Sequence, residues 1–77
     1  MIVKVLGPGC MNCQKLESLV KKAIDELGID ATVEKVTDYP DIMAYGIMST
    51  PGLVVDEKVR VAGRVPSLDE VKAALQS

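Results

Sequence analysis

Two cysteines, Cys10 and Cys13, are the residues of this chain whose type and spacing could do chemistry. They follow a Gly-Pro-Gly turn, at the point where a short apolar run gives way to a helical pattern. A helix start offers unpaired backbone N–H groups and the positive end of the helix dipole, and both lower the pKa of a nearby thiol. Because the thiolate is the species that attacks a disulfide, a Cys-x-x-Cys pair at such a junction indicates redox chemistry.

The helical periodicity gives the two sulfur atoms different surroundings. A helix from about Met11 to Leu27 would place Cys13 on an apolar stripe, whose other members are Leu16, Val20, Ile24 and Leu27. Cys10 precedes this helix or lies in its first turn, off the stripe, so solvent should reach its sulfur. We therefore predict that Cys10 is the nucleophile and that Cys13 is the resolving thiol.

The size and charge of the chain limit the classes of function. Its 77 residues predict a single domain over residues 1–77 with a small core. Nine basic and eleven acidic residues are interspersed, for a net charge of −2, without the basic cluster that nucleic-acid binding requires. Tyr39 and Tyr45 are its only aromatic residues, too few to form a platform for stacked bases. We therefore expect no nucleic-acid partner.

Nothing in the pattern of hydrophobicity predicts a membrane protein. The N-terminal apolar run, Ile2–Leu6, is interrupted by Lys4 and is too short for a signal peptide or a membrane span. A bridge between Cys10 and Cys13 would close too small a loop to be a useful structural staple of a secreted protein. We expect a cytoplasmic protein without membrane insertion, and we expect it to be a monomer.

The elements that must position the cysteines follow in the order β-α-β-α-β-β-α. Strands are predicted over residues 2–6, 31–36, 53–55 and 58–62, from short runs of β-favouring side chains. Helices are predicted from about residue 11 to 27, from about 38 to 45, and after a capping box formed by Ser67 and Glu70. A right-handed crossover makes the first two strands parallel, and a tight turn makes the last two a hairpin.

Two motifs make the chain resemble a minimal thioredoxin-like domain of glutaredoxin size. They are the Cys-x-x-Cys after the first strand and the Thr50-Pro51 pair before the third. The resemblance covers nearly the full length and is closest to small redox-active disulfide proteins of archaea and bacteria. It implies an α/β fold with a four-stranded mixed sheet in the order 2-1-3-4, flanked by three helices, of which the second lies on the opposite face from the others.

The resemblance also implies residues that bind a partner. The peptide bond before Pro51 would be cis, and the Thr50 backbone would lie beside the cysteines, ready to pair with an extended segment of a partner protein. Gly63 and Arg64 fall in a loop that this fold brings close to the redox pair, where Arg64 either contacts a partner or a thiolate or remains solvated. The implied partners are disulfide-containing client proteins and a reductase that the sequence does not identify.

A metal-binding module is the alternative. Heavy-metal-associated domains also carry Cys-x-x-Cys between a first strand and a first helix, and two thiolates suit Cu(I). This chain lacks the Met two residues before the first cysteine that marks those domains, and it ends in a helix rather than a strand. With two cysteines and no histidine it also lacks the four ligands of a structural zinc site. We therefore expect a dithiol–disulfide oxidoreductase without a metal or cofactor, and Cu(I) binding or delivery stays the alternative.

Overall fold

The computed structural model describes residues 1–76, and its elements follow the predicted order. The strands are β1 (Ile2–Leu6), β2 (Thr32–Val36), β3 (Gly52–Val55) and β4 (Lys58–Ala62). The helices are α1 (Met11–Leu27), α2 (Tyr39–Ala44) and α3 (Leu68–Gln76). The predicted bounds of β2 and β3 differ from these by one residue at the start, and those of α2 by one residue at each end. Ser77, the last residue of the predicted domain, lies outside the described residues.

The strands form one mixed sheet in the order β2-β1-β3-β4. β1 pairs in parallel with β2 and antiparallel with β3, and β3 and β4 form an antiparallel hairpin. Asp56 and Glu57 turn this hairpin with φ angles of 48° and 67°, the left-handed conformation that a two-residue turn of this kind requires. The observed order and directions confirm the sheet that the resemblance implied.

Alternation along the central strands divides the core between two faces of the sheet. Val3 and Val5 of β1 pack against α1 and α3, in a cluster that includes Leu16, Val20, Ala23, Val71 and Leu75. On the opposite face, Leu6 and Val54 pack against Ile42 of α2 and Ile47 of the following loop. The second helix therefore lies on the opposite face from the other two, as predicted. β3 is covered on both faces, and all four of its residues are buried.

The ends of the two longer helices are set by local signals. Gly28 ends α1 in the left-handed conformation, with φ 65°, and its N–H donates to the carbonyls of Ile24 and Asp25. At the start of α3 the Glu70 N–H donates to Ser67 Oγ and the Ser67 N–H donates to Glu70 Oε1, both at 3.2 Å. This confirms the predicted capping box. Across residues 1–76, the helices are too short or too polar to cross a membrane.

Candidate active site

Cys10 is the residue that caps the N-terminal end of α1. Its backbone is extended, and its carbonyl accepts the Gln14 N–H at 3.0 Å, which begins the helix. Its sulfur accepts the backbone N–H of Cys13 at 3.2 Å. The first turn of a helix has no internal partner for this N–H, and the dipole places partial positive charge there. In the reduced protein this position therefore favours a thiolate at Cys10.

The structure joins Cys10 and Cys13 in a disulfide. Their Cα atoms are 5.0 Å apart, within the usual range for such a bond. Cys10 is exposed, whereas the Cys13 side chain is only 5% exposed and lies on the buried stripe of α1. The predicted difference in exposure between the two sulfurs is therefore confirmed.

Gly7, which follows β1, makes room for the Cys13 sulfur. Gly7 is buried, and its N–H donates to the Val36 carbonyl at 2.9 Å, so its backbone cannot move freely. A Cβ atom built on Gly7 would overlap Cys13 Sγ and lie 3.2 Å from Cys13 Cβ. The sequence indicated Gly7 only as part of a turn. The close approach of Gly7 to the Cys13 sulfur could not be predicted, because the glycine itself is its only trace in the sequence.

Thr50 lies near the redox pair, across Gly7 from Cys13, and Pro51 follows it in the chain. The Cβ position built on Gly7 is 3.7 Å from Thr50 Cβ, so the Thr50 side chain and the Cys13 sulfur are near neighbours. The Thr50-Pro51 peptide bond is cis, as the resemblance implied. Pro51 is buried and leads directly into β3. The segment that leads into β3 thus places Thr50 near the cysteines.

Gly63 contacts the Thr50-Pro51 segment, whereas the side chain of Arg64 binds Glu70. The Gly63 N–H donates to the Pro51 carbonyl at 2.9 Å, and a Cβ atom on Gly63 would lie 3.1 Å from Ser49 Cβ. The Arg64 guanidinium donates to both carboxylate oxygens of Glu70, at 3.2 and 2.5 Å. This pair, with the Ser67 N–H, lowers the pKa of Glu70 to about 2. Gly63 therefore supports the Thr50-Pro51 segment, and Arg64 supports the start of α3.

Charged groups surround the redox pair only at the surface. Within residues 1–76, no carboxylate or ammonium group is buried. Lys4, which interrupts β1, lies on the α2 face, where its ammonium donates to Glu57 Oε1 and Tyr45 Oη at 2.7 Å each. These hydrogen bonds, the one to Glu57 foremost, raise the pKa of Lys4. Among the described residues, no buried carboxylate is therefore present to accept a proton from Cys13 or to return one to it.

Known proteins match this chain over its whole described length. The model of the thioredoxin domain family matches residues 1–76. A thioredoxin from Methanothermobacter thermautotrophicus is 43% identical over 75 residues, which cover 97% of this chain and 97% of that protein. A thioredoxin from Methanocaldococcus jannaschii is 39% identical over 77 residues, which cover 100% of this chain and 88% of that protein. These matches take in the whole sheet and both cysteines, so the chain belongs to the thioredoxin domain family and is a thiol–disulfide oxidoreductase.

Proposed function

We propose that this protein exchanges electrons with disulfide-containing client proteins, with Cys10 as the nucleophile and Cys13 as the resolving thiol. The observation that carries the proposal is the difference between the two sulfurs. Cys10 is exposed at the positive end of α1, whereas Cys13 is 5% exposed and packed against Gly7. A client sulfur can therefore reach Cys10 from solvent, whereas the burial of Cys13 hinders such an approach.

The reaction takes place in two exchanges. The Cys10 thiolate attacks one sulfur of the client disulfide, and the other client sulfur leaves as a thiolate that takes up a proton. Cys13 then loses its proton to solvent and attacks the Cys10 sulfur, which releases the second client thiol and closes the Cys10–Cys13 disulfide. The client disulfide has become two thiols, and the two thiols of this chain have become a disulfide. The second step is fast because both sulfurs belong to one helical turn.

The partner surface that we propose consists of Thr50, Pro51, Gly63 and Arg64. Thr50 lies near Cys13 across Gly7, and the hydrogen bond from Gly63 to the Pro51 carbonyl holds the Thr50-Pro51 segment in place. An extended client segment that pairs with the Thr50 backbone would present its disulfide to Cys10, and main-chain pairing would tolerate many client sequences. Arg64 would contribute at the edge of this surface, where a client carboxylate would compete with Glu70.

The cycle needs a reductase that returns two electrons to the disulfide. We propose that the protein acts in the cytoplasm, since that compartment keeps thiols reduced and available for exchange. We also propose that it acts as a monomer. Neither a metal nor a cofactor takes part in the steps above, because the electrons and the bonds belong to sulfur alone.

Trapping of the mixed disulfide tests the two roles. Cys13→Ser should accumulate a covalent complex with a disulfide-bonded reporter protein, because the second exchange is lost, and the matched variant Cys10→Ser should not. Intact mass spectrometry after acid quenching measures both. Stable trapping by Cys10→Ser alone would reverse the assignment, and trapping by neither variant would contradict the proposed exchange.

A further inference from the structure

The outer face of α1 carries a groove of about 520 Å³ that begins at the redox motif. Met11, which lies between the two cysteines, forms one end of it and is 74% exposed. Leu19 and Val65 continue its apolar surface, and the remaining lining residues are Gln14, Lys15, Ser18 and Lys22. From Met11 to Lys22 the helix rises roughly 16 Å, a length that about five residues of extended chain would span.

This groove is positively charged, although the whole chain has a net charge of −2. Lys15 and Lys22 line it, and none of its seven lining residues is acidic. Neither lysine forms a salt bridge with another residue of the described range 1–76, whereas Lys4, Lys21, Lys35 and Lys72 each do. Lys72 and, to a smaller degree, the nearby Lys22 lower the pKa of Glu26, but neither the Lys15 nor the Lys22 ammonium lies within salt-bridge distance of a carboxylate in this range. Both Lys15 and Lys22 therefore flank an apolar surface that adjoins the redox motif.

We infer that this groove, formed by Met11, Leu19 and Val65 and flanked by Lys15 and Lys22, docks a client segment that carries an apolar side chain between acidic residues. The inference rests on the proposed function, in which Cys10 attacks a client disulfide. The apolar side chain packs on Leu19 and Val65, and its acidic neighbours pair with the two lysines. Because Met11 adjoins Cys10, the segment that occupies the groove is the one directly beside the client disulfide.

The experiment compares three synthetic peptides that each hold one intramolecular disulfide. They differ only in the residues beside it, which are Glu-Leu-Glu, Lys-Leu-Lys or Glu-Ser-Glu. The fully reduced protein reacts with each oxidised peptide in a single turnover, so its two thiols become a disulfide and the peptide disulfide becomes two thiols. Each rate is divided by the rate at which dithiothreitol reduces the same peptide, which removes differences in intrinsic reactivity.

We expect the Glu-Leu-Glu peptide to react roughly tenfold faster than Lys-Leu-Lys at low salt, because two exposed ion pairs each contribute a small factor. The Glu-Ser-Glu peptide should fall between them, since it lacks the apolar contact. At about 1 M salt, where the screening length is about 3 Å, the ratio of the Glu-Leu-Glu to the Lys-Leu-Lys rate should approach one.

A pair of double variants locates the effect. Lys15→Gln with Lys22→Gln should reduce the ratio of these two rates to below about twofold. The reason is that this variant loses both of the ion pairs to which the ratio is attributed. Lys58→Gln with Arg60→Gln removes the same charge from β4, at two exposed residues that form no salt bridge within residues 1–76, and should leave the ratio unchanged. The ratio is measured within each variant, so a change in general reactivity does not affect it.

Two results would overturn the inference alone, namely equal normalised rates for Glu-Leu-Glu and Lys-Leu-Lys, or a ratio that survives in the Lys15→Gln, Lys22→Gln protein. Either would leave disulfide exchange itself intact. The proposed function would be overturned as well if the unaltered protein failed to reduce bis(2-hydroxyethyl) disulfide, a small uncharged compound that needs no docking groove.

Discussion

The backbone of Gly7 lies against the Sγ atom of Cys13, so closely that a methyl group on Gly7 would overlap the sulfur. Gly7 is itself fixed by its hydrogen bond to Val36, which ties the end of β1 to β2. The position of the resolving sulfur therefore depends on the absence of one side chain in the strand before it. The same glycine separates Cys13 from Thr50, so a change at Gly7 would disturb the proposed partner surface as well.

Gly7→Ala should destabilise the protein by about 1 to 3 kcal/mol, the usual cost of overpacking a tight site. It should also slow closure of the Cys10–Cys13 disulfide, because the Cys13 sulfur must leave the position beside Gly7 in which it bonds to Cys10. Denaturant unfolding and single-turnover kinetics measure the two effects. In a Cys13→Ala background the same substitution should cost much less, and an equal cost in both backgrounds would show that the sulfur contact is not the cause.

The Cys10 thiol should have a pKa below that of an unstructured cysteine, because the Cys13 N–H and the α1 dipole stabilise its thiolate. The rate of alkylation against pH in the Cys13→Ser protein measures this pKa on a single thiol. The same variant in denaturant provides the reference. A midpoint for the folded protein at or above that of the unfolded one would contradict the proposed activation of Cys10.

Glu70 should make the protein sensitive to acid. Its pKa is lowered from 4.5 to about 2, chiefly by Arg64 and then by the Ser67 N–H. Because the folded pKa lies below the ordinary one, the ionised carboxylate stabilises the fold at neutral pH, and this contribution is lost as the pH falls from 4.5 through about 2. Urea midpoints measured over this interval should therefore depend less on pH in Glu70→Gln than in the unaltered protein.

Asp69→Asn is the matched control for this acid sensitivity. It removes a carboxylate from the same first turn of α3 but leaves the capping box and the Arg64 pair in place. The Asp69→Asn protein should retain the acid sensitivity of the unaltered one. Equal flattening of the pH profile in both variants would assign the effect to net charge and not to the Glu70 contacts.

A redox titration distinguishes disulfide exchange from the Cu(I) alternative. In defined thiol buffers, the Cys10/Cys13 pair should show a reversible two-electron midpoint between about −270 and −200 mV, the range of thioredoxins and glutaredoxins. Alkylation and mass spectrometry count the free thiols at each potential. Absence of such a transition, together with tight retention of Cu(I) by the reduced protein, would instead support metal handling.

Local patterns in the sequence predicted most of the framework. Apolar spacing in α1 placed Cys13 inside and Cys10 outside, because a helix of known pitch fixes which residues share a face. The Ser67–Glu70 capping box marked the start of α3 through the preferences of single residues. The sheet order and the cis bond before Pro51 came from the resemblance, since neither leaves a signal in composition or periodicity.

Contacts between distant segments were the part that the sequence did not reveal. Lys4 reads locally as a lysine that reaches water from an apolar strand, yet Tyr45 and Glu57 bind its ammonium from 41 and 53 residues away. The pairing of the Arg64 guanidinium with Glu70, six residues along the chain, was likewise not predicted. Such pairs depend on where the fold brings two flexible side chains, and the spacing of residues along the chain does not encode that distance.

The strand order has a further consequence for contacts between copies of this protein. β2 and β4 are the two edges of the sheet, where unpaired backbone groups could recruit another strand and start aggregation. Both edges carry exposed charged side chains, Glu34 and Lys35 on β2 and Lys58 and Arg60 on β4. If edges from two molecules met, these charged side chains would lose part of their hydration, which opposes the pairing. The edges of the sheet thus resist strand pairing, whereas the backbone at Thr50 is the segment that we propose to pair with a client.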